Sequence, residues 1–217
     1  MRSHPVILLI VLMLFARSVL AQTAERVALV IGNASYKDAP LTNPVNDARA
    51  MDRRLSSLGF NVTKVENASK ATMERAIADF ESALGPDKVA LFYYAGHGIQ
   101  VRGRNYLIPV DADIETESRA RFAAVDVTDI TEAMEYANSR VNFVILDACR
   151  NNPFESRWRG QGRGLAPVKA AKGTLIAYAT APGQVAADGA GSNGLYTESL
   201  LAALATPTKS EPIRTSA

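Results

Sequence analysis

The 217-residue chain has one cysteine, Cys149, and two histidines, His4 and His97. A cysteine is a strong nucleophile only as the thiolate, and a nearby imidazole can lower its pKa or relay its proton. His97 closes the segment Tyr93-Tyr94-Ala95-Gly96-His97-Gly98, and Cys149 closes Asp147-Ala148-Cys149-Arg150. Each segment ends an apolar run that reads as a strand. In open parallel sheets, ligands bind in the crevice at the carboxyl ends of the strands, and consecutive strands are usually neighbours. The only thiol and the only interior imidazole are thereby expected on one edge. Gly96 and Gly98 keep side-chain bulk away from His97. Backbone amides near Gly98 and Cys149 can form an oxyanion hole, where one donor is worth about 10²–10³ in rate. Spacing alone leaves a second account open, in which Cys149 packs in a core and His97 is structural.

The elements that must position these residues alternate between strand and helix patterns from Arg26 onward, as in an α/β domain with a mostly parallel sheet. Arg26–Ile31 reads as a strand closed by Gly32. A helix over about Pro44–Leu58 carries Val45, Ala48, Met51, Leu55 and Leu58 at spacings of three and four, and Gly59 ends it in a left-handed conformation. Asn61–Glu66 is a second strand. Met73, Ala76, Ile77, Phe80 and Leu84 mark a second helix, stopped by Gly85-Pro86. Lys88–Ala95, apolar on both faces, is a central third strand, and Ile99–Pro109 a small hairpin around Gly103. Asp129–Glu132 resembles a capping box opening a short helix. Asn142–Ala148 and Thr174–Thr180 are the fourth and fifth strands. Leu195, Ser199, Leu200, Ala203 and Leu204 mark a last helix. The glycine-rich segments Asn151–Gly173 and Gly183–Gly194 read as mobile loops.

Composition narrows the class. Length allows one domain at roughly 100–200 residues each, and 47% hydrophobic with 21% charged residues is ordinary for a globular protein. One cysteine excludes an internal disulfide framework and a multi-cysteine zinc site, and two histidines make a His-rich metal site equally unexpected. Residues 1–21 have the form of a secretory signal: Arg2, an apolar run from Val6 to Phe15, and Ala21 before the cut. Arg17 interrupts the run well short of the about 20 apolar residues a membrane span needs. An uncleaved anchor stays open. The 24 basic side chains less Arg2 and Arg17 leave 22, matching the 22 acidic ones, so the formal charge of +2 belongs to the export signal. Nothing here has the clustered basic excess of a nucleic-acid binder. The expected domain runs over 22–205, and 206–217, without periodicity, is a frayed tail.

Cys149 follows His97 by 52 residues, matching the caspase pattern of a histidine about 50 residues before the cysteine. Arg26–Tyr36, Asn43–Ala48, Tyr93–Gly98, Tyr106–Asp111, Asp147–Arg150 and Thr174–Thr180 together resemble the caspase-like cysteine peptidases, in particular their bacterial metacaspase and paracaspase branch. The resemblance implies a three-layer caspase-like fold, a mostly parallel central sheet flanked by helices. It implies His97 and Cys149 as the catalytic dyad and Gly98 as an oxyanion amide. It implies no organic cofactor; calcium activates some metacaspases, but no ligand cluster here demonstrates it.

Two departures sharpen the expectation. Where caspases have glutamine two residues before the cysteine, this chain has Asp147. Acids line the acyl-side pocket in the metacaspase branch, and the resemblance carries two of them to Asp47 and Asp147, with Asp188 as a third. Two carboxylates in one recess attract Lys or Arg, and Arg more by its bidentate geometry. As alternatives, Asp47 caps its own helix and Asp188 is solvated. The second departure is that little after Ala205 can form the closing strand and helix of the family, which leaves a sheet edge for a partner or a second copy. The reading is an exported, periplasmic or secreted, cysteine endopeptidase cleaving proteins or peptides after Arg or Lys, with self-processing in the basic stretch 157–172. The rival is an inactive caspase-like module serving as a protein-binding scaffold. A flavodoxin-like binding domain lacks its glycine-rich phosphate loop.

Overall fold

The computed structural model describes residues 24–149, 165–168, 170, 172–179 and 191–205. The expected signal over 1–21, Asp188, most of the 157–172 stretch and the 206–217 tail lie outside the described residues. The strands are β1 (Arg26–Gly32), β2 (Phe60–Glu66), β3 (Val89–Val101), β4 (Arg104–Leu107), β5 (Val125–Asp126), β6 (Val141–Cys149) and β7 (Thr174–Tyr178). The helices are α1 (Pro44–Ser57), α2 (Lys70–Ala83), α3 (Ala120–Ala123), α4 (Val127–Tyr136) and α5 (Leu195–Ala205), with a 3-10 turn over Glu117–Arg119.

Five strands form the parallel sheet, in the order β2-β1-β3-β6-β7. Its interior strands run apolar over Val27–Ile31, Val89–Ala95 and Phe143–Leu146 because both faces are covered. On one face Leu29, Ile31, Phe92, Tyr94, Val144 and Leu146 pack against Met73, Ile77 and Phe80 of α2 and Ile130 and Met134 of α4. On the other face Val30, Leu91, Tyr93 and Ile145 pack against Met51 and Leu55 of α1 and against Tyr196, Leu200 and Leu204 of α5. The result is the expected α/β arrangement of a mostly parallel sheet between two helical layers. Among the described residues no helix is long and apolar enough to cross a membrane.

Several boundaries differ from the sequence expectation for physical reasons. The third strand does not stop at Ala95. It continues to Val101, leaving the parallel sheet and pairing antiparallel with β4, which pairs with β5. A separate cluster of Tyr36, Ile99, Val101, Tyr106, Ile108 and Ile114 buries that extension. Helix α4 opens at Val127, not at Asp129, because Asp126 is its N-cap and accepts from the Thr128 N–H at 2.8 Å. In α5 the partly buried Tyr196, Leu200, Leu201 and Leu204 pack on the sheet, while Leu195 is 57% exposed. The mobile-loop reading fails at the described part of 151–173. Leu165 and Ala166 are buried, and Asn105 clamps Ala166 from both sides, at 2.6 and 2.7 Å.

Candidate active site

His97 lies where β3 passes from its parallel to its antiparallel half. Gly96 makes that passage possible: its φ is +155°, and a Cβ there would sit 2.6 Å from both the Tyr36 and the Tyr94 hydroxyl oxygens. Those hydroxyls, 3.1 Å apart, grip the backbone of His97. The His97 N–H donates to the Tyr36 hydroxyl at 3.0 Å, and the Tyr94 hydroxyl donates to the His97 carbonyl at 2.7 Å. The Tyr36 ring also lies against the imidazole, with centroids 4.5 Å apart.

The imidazole is 3% exposed. Its Nε2 is 2.7 Å from the Ala39 carbonyl oxygen. A carbonyl only accepts, so the neutral ring carries its proton on Nε2 and leaves Nδ1 as the basic nitrogen. Nδ1 is buried and has no hydrogen-bond partner among the described residues. Burial pushes the imidazole pKa below its ordinary value, and the bond to Ala39 opposes this only in part. His97 is poised to take a proton from a neighbour at neutral pH.

The register of β3 with β6 says what the neighbour is. The strands pair in parallel from Val89 with Val141 through His97 with Cys149, so the two residues stand at the same level on adjacent strands. Gly98, next along, leaves no room for a side chain, since a Cβ would lie 3.1 Å from the Ala148 Cβ and the Leu165 Cδ2. A cleft of about 660 Å³ opens beside His97, walled by Tyr36 and Ala39 after β1 and by Ile108 and Asp111 after β4.

Asp47 and Asp147 also come together, on the α1 side of the sheet. A Cβ added to Gly194 would lie 3.2 Å from Asp47 Oδ2 and 3.7 Å from Asp147 Oδ2. Asp47 does not cap its own helix through the cap position, which Asn43 occupies. Its Oδ1 accepts from the Gly194 N–H at 2.9 Å and from Asn193 Nδ2 at 2.8 Å. It is 3% exposed, while Asp147 is half-buried. Among the described residues no group of three or more His, Cys, Asp or Glu side chains is placed to hold a metal ion.

Sequence reasoning missed the residues that hold the site in place. Asn33, fully buried after β1, accepts from the Ala68 N–H at 2.8 Å and donates to the Ile108 carbonyl at 3.2 Å. Asn67, at φ +49°, accepts from the Ala34 and Ser35 N–H groups. Only the Asn67 position, three residues before α2, carries a turn signal in sequence.

Comparison with known proteins agrees with this geometry. The caspase-domain family model matches residues 25–216. The human mucosa-associated lymphoid tissue lymphoma translocation protein 1 is 32% identical over 127 residues, covering 58% of this chain and 15% of that protein. A probable protease of a Desulfuromonadales bacterium is 28% identical, covering 82% of this chain and 25% of its own length. The chain thus spans a quarter or less of the length of these curated relatives. The crystal structure of a Geobacter sulfurreducens protein superposes with a TM-score of 0.60 at 20% identity, covering 82% of this chain and 81% of that one, a likeness of fold alone. With a caspase-domain match over nearly all of its length, and a parallel sheet that sets His97 beside Cys149, this chain belongs to the caspase-domain family of peptidases.

Proposed function

We propose that the chain is an exported cysteine endopeptidase that cuts after Arg or Lys, using His97 and Cys149 as its dyad. The observation that carries this reading is the in-register pairing of these two residues at the carboxyl ends of β3 and β6, together with an imidazole whose Nδ1 is left without a partner among the described residues.

In this mechanism Nδ1 accepts the thiol proton and Cys149 attacks the peptide carbonyl. The resulting imidazolium keeps its Nε2–H on the Ala39 carbonyl, so charge develops with a hydrogen bond already in place. The Gly98 N–H stabilises the oxyanion. Nδ1 then protonates the leaving amine, whose chain departs through the cleft beside His97. Water, deprotonated by the same nitrogen, hydrolyses the thioester. Asp147 and, deeper, Asp47 receive the basic side chain on the acyl side; Asp188 completes the recess as a third acid. The same preference directs self-cleavage within 157–172.

Fluorogenic peptides ending in Arg, Lys and Asp, offered to wild type and Cys149→Ala, test this. Turnover of the Arg and Lys peptides by wild type only is expected. Preference for the Asp peptide overturns the recess. No turnover of any peptide, with no labelling of Cys149 by a basic-peptide acylating inhibitor, overturns the enzyme and leaves the scaffold.

A further inference from the structure

Two carboxylates converging on one point repel each other, and something must hold them there. Three groups that hold them come from the start of α5 and the two residues before it, far away in sequence. Asp47 Oδ1 takes the Gly194 N–H and the Asn193 amide. Asp147 Oδ2 takes the Thr197 hydroxyl at 2.6 Å. Thr197 is fully buried, and its oxygen lies 2.6 Å from the Tyr93 hydroxyl.

Proton accounting gives this chain a direction. A carboxylate only accepts, so the single Thr197 proton is committed to Asp147, and the Tyr93 hydroxyl must donate to Thr197. Tyr93 is suited to stay a donor. Burial, and then the nearby charges of Asp147 and Asp47, push its pKa well above the ordinary phenol value. The relay from Tyr93 through Thr197 to Asp147 fixes one oxygen of the carboxylate. Gly194, lacking a Cβ, leaves open the point that both Oδ2 atoms approach.

We propose that Thr197 is a positioning residue for substrate selectivity: it aims Asp147 so that, across the gap left by Gly194, the two carboxylates present one cation-binding edge to the guanidinium or ammonium of the substrate. This rests on the reading of Asp47 and Asp147 as the acyl-side recess. Thr197 acts through Asp147 and touches neither the dyad nor the scissile bond. Its loss should weaken binding in ground and transition states alike, which raises KM and leaves kcat.

The test is Thr197→Val, which keeps shape and removes the hydroxyl, measured beside Thr197→Ser on peptides ending in Arg and in citrulline, the uncharged isostere. Hydrogen bonds to charged groups set the scale: KM for the Arg peptide should rise about 10- to 100-fold with kcat within about twofold. Thr197→Ser should restore it, and citrulline turnover should stay unchanged. Gly194→Ala, which places a methyl group between the two carboxylates, gives the same signature and serves if Thr197→Val does not fold. Unaltered KM in a folded Thr197→Val, or in Gly194→Ala, overturns the inference while the Arg preference of wild type stands. A wild type indifferent to Arg against citrulline overturns the recess reading itself, and the inference with it.

Discussion

Replacing Tyr36 by Phe isolates the hydroxyl that holds the backbone of His97. The ring contact with the imidazole survives. The loss includes the acceptor 3.0 Å from the His97 N–H, a donor to the Ile108 carbonyl at 3.1 Å and the contact with the Tyr94 hydroxyl at 3.1 Å. The Ile108 carbonyl keeps the Tyr94 hydroxyl and Asn33 Nδ2. The buried His97 N–H, already turned towards Tyr36, loses its acceptor. An unmatched buried donor costs about 1–3 kcal/mol, which in a chain of this size lowers Tm by about 2–12 °C. Loosening the strand at the general base costs rate as well, since a misplacement of about 1 Å can cost on the order of 10². We therefore expect kcat/KM on an Arg peptide to fall about 10- to 100-fold, mainly in kcat. Tyr94→Phe is the comparison. Its hydroxyl has one proton for the His97 and Ile108 carbonyls, and each keeps another donor, Ile108 N–H for the His97 carbonyl and Tyr36 for that of Ile108. It should cost less stability than Tyr36→Phe. Thermal melts with peptide kinetics decide: a Tyr36→Phe protein melting within about 1 °C of wild type at full kcat refutes the reasoning.

The lowered pKa of His97 gives a signed prediction. The neutral imidazole persists below pH 6.5, its ordinary value, so the acid limb of kcat/KM should have its midpoint below 6.5. Because the unfolded chain protonates this residue more readily, stability should decline as pH falls below the unfolded value and level off beneath the folded one. Urea midpoints at about pH 7 and about pH 5 should differ more in wild type than in His97→Gln; equal differences would contradict this. Asp126→Ala removes the N-cap of α4 and should cost about 1–2 kcal/mol in urea unfolding. Arg104→Ala, which removes the half-exposed partner of Asp126, should cost less than about 1 kcal/mol.

The parallel sheet was legible in sequence because burial on both faces writes itself as continuous apolar runs. Val89–Ala95 and Asn142–Ala148 can hardly be anything else, and once they are neighbours the register of His97 with Cys149 follows from length alone. The hairpin around Gly103 was legible, but the continuity of β3 into it was not: Gly96 and Gly98 were read only as keeping bulk from His97, whereas here glycine lets the strand pass between two tyrosine hydroxyls and against Ala148. The pairing of Asp47 with Asp147 came from resemblance, and their anchorage on α5 from neither resemblance nor pattern. Thr197 sits in a helix where a small polar residue ordinarily marks the wet face, yet it is fully buried. Asn33 and Asn105 look like any loop asparagines, since composition does not record which amides are desolvated.

Two hydrogen-bond networks divide the work. Tyr36, Tyr94 and Ala39 hold the backbone and ring of His97, and α1 with the start of α5 holds the two carboxylates. β3 and β6 run between them and carry His97, Asp147 and Cys149 on adjacent strands, with Tyr93 and Tyr94 side by side facing opposite layers. Side-chain alternation makes this possible, since successive strand residues address opposite faces. In the proposed mechanism Tyr94 thus serves the base through the His97 carbonyl and Tyr93 serves the recess through Thr197, both from one strand. A substitution on the Tyr94 side should act on kcat and one on the Tyr93 side on KM. A double variant, Tyr36→Phe with Thr197→Val, should show the two effects multiplied, because the Tyr36–Tyr94–His97 and Tyr93–Thr197–Asp147 hydrogen bonds share no residue. Strong coupling between them would mean that the sheet transmits strain from one face to the other, and that base and recess form a single unit.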